Sequence, residues 1–217
     1  MNKEWSEMNH KMQNLLKRED SFIEGINQLM ILRNQLIHEL DQILIELNQE
    51  DFCMMPYINI KGYHSKSIAY SIWHIFRIED IVSNTLISNT NQIFFKENYQ
   101  SRINTPIITT GNELVGQQIF DFSKQLNINE LYKYIHEVKE NTDQFLLSLE
   151  FKDLKKRFDI VDINRIQALN VVSKQNEAIW LIDYWCSKDI KGLIQMPFSR
   201  HWIMHIEACL RIKKKLR

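Results

Sequence analysis

The chain has 217 residues, 44% of them hydrophobic, with 27 basic and 27 acidic side chains and a formal net charge of zero. That length can bury a sizeable core, and the balanced charge argues against a dedicated nucleic-acid binder, which carries a basic excess. With only 5 glycines and 3 prolines the composition suits long helices, and no apolar run reaches the roughly 18 residues that a membrane-spanning helix needs.

In chain order, the first predicted element is an amphipathic helix over 3–17, carrying Trp5, Met8, Met12 and Leu15. Ser21-Phe22-Ile23-Glu24 then has the form of a capping box. Behind it Phe22, Ile26, Leu29, Leu36, Leu40, Ile43, Leu44 and Leu47 recur at helical spacing. Residues 51–65, with Pro56 and Gly62, read as a connection. A second long helix runs from about Ser67 to Ser88. It is apolar on most sides (Ile68, Ile72, Trp73, Ile75, Phe76, Ile78, Ile81, Val82, Leu86), which predicts a central position. Residues 91–118 are the least regular part. Asn127-Ile128-Asn129-Glu130 opens a third helix, with Leu131, Ile135, Val138, Phe145 and Leu149 inward. Residues 152–190 break into shorter helical pieces, and Ser199 starts the last helix. The pattern predicts an all-α single domain over 1–217, a four-helix bundle with additional short helices and the 3–17 helix at its periphery.

Cys53, Cys186 and Cys209 are odd in number and widely spaced, with no CxxC. They predict reduced thiols in a cytoplasmic protein. The segment Met1–Met8 lacks the apolar core of a signal peptide. A homodimer is the default oligomer, since two-fold dimers are the commonest.

The chemistry concentrates in the last helix. His201 and His205 are four residues apart, and so lie on one face if the segment is helical. At about 100° per residue they share a stripe with Ala208, Cys209 and Ile212, away from Arg200, Glu207 and Arg211. An inward histidine pair must be hydrogen-bonded, paired or metal-bound. Two imidazoles so placed can bind one divalent metal, but a catalytic site needs a third ligand. His74, on the very apolar second helix, is one candidate; Cys209, one turn beyond His205, is the other and would make a softer site. His38 and His136 fall opposite the apolar stripes of their helices, and His10 and His64 lie near element ends.

Two charges fall on apolar faces, Arg33 in the first long helix and Glu79 in the second. Buried charges persist mainly when paired. An Arg33–Glu79 ion pair across the core is the favoured reading. The alternative makes Glu79 a carboxylate that orients a ligating histidine.

The segment Ile72-Trp73-His74-Ile75-Phe76-Arg77-Ile78-Glu79, followed far downstream by Arg200-His201-x-x-x-His205, resembles the DinB superfamily of small helical proteins. Phe122-Ser123 followed by Asn129-Glu130-Leu131-Tyr132-Lys133-Tyr134-Ile135 is similar to that family's third-helix entry. The resemblance covers roughly residues 20–212. It implies a four-helix bundle with a three-histidine metal site made of His74, His201 and His205. It also implies relatives that include thiol-dependent transferases and isomerases using bacillithiol, mycothiol or glutathione. The chain departs from simpler members in the long, aromatic-rich stretch 164–197 and in the substantial 91–118 segment, both of which can shape a pocket mouth. Trp202 follows His201, so the Glu of a zinc-peptidase HExxH is missing.

The expectation is therefore a metal-dependent enzyme of the DinB-like class. Its concrete form is thiol-dependent S-transfer between a low-molecular-weight thiol and an electrophilic small molecule. Three imidazoles suit zinc or nickel, and also iron or copper. No general base is evident, and Trp73, Trp180, Trp185 and Trp202 are candidate cavity walls. The competing reading is a non-catalytic interaction or stress-associated bundle whose histidine site is vestigial or structural. A metal-storing bundle ranks last, because it calls for a Glu-x-x-His from each of two helices and the sequence holds a single such spacing, Glu7/His10, in the peripheral first helix.

Overall fold

In the computed structural model, which describes residues 2–217, Asn2 opens helix α1 (Lys3–Leu15) by accepting the Trp5 amide at 3.3 Å. Trp5, Met12 and Leu16 are buried where α1 packs along α2 (Phe22–Glu46). The predicted capping box at Ser21 does not form. Ser21 occupies the N-cap position without a side-chain cap bond. Its hydroxyl donates instead to the Leu15 carbonyl at 2.8 Å, tying the end of α1 to the start of α2. The local competition between cap and turn bonds is decided by that nearby orphan carbonyl.

Ser67 caps α3 (Ile68–Asp80), accepting from Tyr70 N at 3.1 Å. Every residue of α3 is buried, which places it at the centre as its apolar girth requires. Beyond Asp80 the helix widens into a π-helix over Ile81–Ser88 and stops at Asn89, whose φ of 54° is left-handed. The sequence pattern sees one continuous helix here. The widened turns follow from a buried polar knot instead. Asp80 accepts from Ile93 N, Phe94 N and Asn84 Nδ2, and Asn84 O accepts from Thr90 N. These bonds pull the chain back across the helix end, and a wide turn accommodates it.

Short helices α4 (Ile93–Lys96), α5 (Tyr99–Ile103) and α6 (Gln117–Gln125) fill the irregular middle. Asn127 then caps α7 (Ile128–Ser148). Helices α8 (Ile160–Ala168), α9 (Asn176–Cys186) and α10 (Ile190–Gln195) make up the predicted broken stretch, and α11 (Arg200–Leu216) closes the chain. No strand occurs among the described residues, and no helix is long and apolar enough to cross a membrane. Helix α3 packs against α7 and α11, and α2 against both of these.

The four long helices are locked by one buried cation. Arg33 of α2 grips Glu79 of α3 at 2.7 and 3.1 Å, Asp143 of α7 at 2.6 Å, and the Phe198 carbonyl at the entrance to α11 at 3.0 Å. Its guanidinium stacks 4.3 Å from the Trp202 ring. Trp202 Nε1 completes the set by donating to Glu79 at 2.8 Å. Burial works against the Arg33 charge, but Glu79 and Asp143 outweigh it and hold the group protonated.

Candidate metal centre

His74 and the pair His201/His205 meet because α3 and α11 pack face to face. The ring centroids are 5.0 Å apart for His74–His201, 4.9 Å for His74–His205 and 4.7 Å for His201–His205. One ring nitrogen from each lies within 4.8 Å of the others, and all three residues are buried. Nitrogens sharing one ion at bonds near 2 Å would sit roughly 3–3.5 Å apart.

His74 is oriented by a strap of backbone, residues 108–112, that lies along α3. Trp73 Nε1 donates to Thr109 O at 3.1 Å, Tyr70 OH to Gly111 O at 3.0 Å, and Arg77 to Ile108 O at 2.8 Å. Within this run His74 Nδ1 lies 2.9 Å from Thr110 O. A carbonyl only accepts, so Nδ1 carries the proton and the Nε2 lone pair is left for a ligand. The strap passes so close that Gly111 is required. Its φ is +78°, and an added Cβ would stand 3.1 Å from the Tyr70 ring.

His201 and His205 have no such partner. The Nδ1 atoms of both are buried without a hydrogen bond. An orphaned buried nitrogen is costly, and two at one point fit a site that takes an electrophile such as a metal ion. The donor set agrees. Burial holds all three imidazoles uncharged: His74 is lowered to about 4, and His201 and His205 fall well below the ordinary value. Neutral imidazole is the form that binds metal.

These shifts predict an acid-sensitive metal-free protein. The folded-state pKa values lie below the unfolded value near 6.5, so protons favour the unfolded chain. Stability is therefore constant above about pH 7 and falls as pH drops through 6.5. Each of the three histidines should cost about 1 kcal/mol between pH 6.5 and 5.5. Urea midpoints measured across that window should fall steeply, and less steeply in His205→Asn. A flat profile would show that the imidazoles are not held neutral.

The three rings form the floor of a pocket of about 270 Å³. Its walls come from the aromatic-rich stretch, with Trp180, Tyr184, Trp185, Met196 and Pro197, and from Asn112 of the middle segment. Tyr63 borders it and packs edge-on to His205 at 4.8 Å. Of the four candidate tryptophans, Trp180 and Trp185 line the pocket. Trp73 and Trp202 are core residues with no exposed surface.

The remaining sequence candidates fall elsewhere. Cys209 does not join the histidine group. It is buried in the apolar core, where burial pushes its thiol up to about 12. Glu79 does not orient a ligating histidine, because its oxygens are taken by Arg33 and Trp202. Its link to the centre is indirect, through the residue next to His201. His38 and His136 are exposed, as their helix faces predict. Sequence reasoning missed Thr110, Asn112, Tyr63 and Tyr184, which sit in loops or at element ends where periodicity carries no signal. No protein-family model matches this chain, and comparison with curated proteins finds no significant match, so the centre stands on its own geometry.

Proposed function

We propose that this protein is a metal-dependent enzyme of the DinB-like class, with α2, α3, α7 and α11 as its four-helix bundle. His74, His201 and His205 would hold a divalent cation, zinc or nickel before iron or copper. The observation that carries the reading is the meeting of three buried imidazoles on a pocket floor, two of them with an orphaned Nδ1. A cation held by three neutral ligands supplies Lewis acidity at an open position, stabilising a thiolate or lowering the pKa of water.

The pocket's own residues favour the thiolate. Hydrolysis is aided by a carboxylate that takes a proton from water, and no carboxylate lines either cleft that reaches the histidines among the described residues. The imidazoles are ligands and therefore not bases. Thiol transfer needs less. A bound cation would lower the pKa of the thiol so that its proton passes to solvent. Trp180, Tyr184 and Trp185 would hold an apolar or aromatic electrophile beside the sulfur, and the new carbon–sulfur bond would form as a halide leaves or as an activated alkene takes up a proton from water. The reaction is thus S-transfer from a low-molecular-weight thiol to an electrophilic small molecule. Metal-loaded protein should consume such a thiol in the presence of an aryl halide or an activated alkene, and chelator should stop it. Metal binding without turnover across a broad panel of thiols and electrophiles would leave a non-catalytic bundle with a structural histidine site.

A further inference from the structure

The three-histidine centre opens into a second cleft. This cleft, about 300 Å³, reaches His74 and His205 and is bounded by Gly62, Tyr63, Lys66, Tyr70 and Asn112. Tyr63 and Asn112 border both spaces, so they stand between two approaches to one centre. The two spaces differ in chemistry. The first is walled mainly by aromatic and aliphatic side chains, with no acidic or basic side chain beyond the histidines. The second contains an ammonium.

Lys66 is half-buried and has no acidic partner among the described residues. Its nearest compensation is the face of Tyr70, 5.5 Å from the ammonium. A partly desolvated cation without a counterion is costly, and an arriving anion would relieve that cost. Asn112 adds a donor. Its Oδ1 accepts from Thr110 Oγ1 at 2.8 Å, which fixes the amide and leaves its N–H groups unused. The same Thr110 holds His74 through its carbonyl, so this donor is set in register with the centre.

We propose that the second cleft is a carboxylate subsite, in which Lys66 and Asn112 bind an anionic group of the molecule that presents its thiolate to the three-histidine centre. The apolar pocket then takes the electrophile, and the two reactants enter by separate clefts divided by Tyr63. This deepens the metal-dependent reading above and rests on it.

Cobalt-loaded protein tests the assignment without any assay of turnover. The d–d absorption of Co2+ reports occupation of the histidines, and a thiolate-to-cobalt charge-transfer band reports ligand binding. The probes are 3-mercaptopropionate and its methyl ester, which share the thiol and carbon chain and differ in the carboxylate charge and one methyl group. Wild type should bind the acid about tenfold more tightly than the ester, the scale of one hydrogen bond to a charged group. Lys66→Met should erase that preference while ester affinity and d–d bands stay unchanged, and Lys66→Arg should retain most of it. Equal affinity for acid and ester in wild type, or a preference that survives in Lys66→Met, overturns the subsite and leaves the metal reading standing. Absence of d–d bands from wild type overturns the metal reading, and the subsite falls with it.

Discussion

Zinc or nickel should raise the melting temperature of the metal-free protein, and His201→Ala should abolish the rise. A ligand that binds only the folded state at a hundred times its dissociation constant stabilises by about 2.7 kcal/mol. For a chain of this size each kcal/mol moves the midpoint by about 2–4 °C, so the shift should be about 5–11 °C. His201 is the informative position because its Nδ1 has no partner in the protein. Removing it breaks no internal hydrogen bond, so the variant should fold and melt near wild type without metal. Loss of the metal response can then be separated from loss of the fold. A rise of the same size in His201→Ala would place metal binding elsewhere on the molecule.

Arg33→Met should be the most damaging single change in the core, costing about 3–5 kcal/mol of stability, as expected when one partner of a buried ion network is removed. The change strands Glu79, whose carboxyl burial already pushes up and which Arg33 opposes. It also frees Asp143 and the Phe198 carbonyl. Helix α11 loses its anchor three residues before His201, so metal affinity should fall together with stability. Urea unfolding measures the first effect and metal titration the second. Adding Glu79→Gln to Arg33→Met should cost less than the sum of the two single changes, because the neutral side chain removes the stranded charge. A loss below about 1 kcal/mol for Arg33→Met would mean that the ion network does not lock the helices.

How far the sequence reveals this molecule can be followed residue by residue. The inward face of α11 is legible because a 3.6-residue period leaves little choice: His201, His205, Ala208, Cys209 and Ile212 are all buried. The centrality of α3 is legible from its apolar girth. The Arg33–Glu79 pair is legible because two charges on apolar faces demand partners. Asp143, the third member, is not, since it sits in the polar run Asn141-Thr142-Asp143-Gln144 and looks solvated. Cys209 stands on the predicted stripe yet misses the centre, so the shared face alone leaves the third ligand open. The packing of α3 against α11 brings His74, rather than Cys209, to the pair. The strap over 108–112 is invisible because backbone carbonyls make its contacts, and any residue supplies a carbonyl. The π-helix over Ile81–Ser88 is equally hidden, since bonds made by Asp80 and Asn84 to later residues cause it. Of the four candidate tryptophans, only the two in the 164–197 stretch reach the pocket. That stretch is too broken for helical periodicity to separate wall from core.

His74, His201 and His205 together should hold one divalent metal ion. Elemental analysis of the protein purified without a histidine tag, after equilibration with zinc or nickel and removal of free ion, tests it most directly. Wild-type protein should carry about one divalent ion per chain, lost on mutation of any one of the three histidines. Wild-type protein that stays metal-free, or a variant lacking His74 or His205 that retains the same metal content, would contradict it.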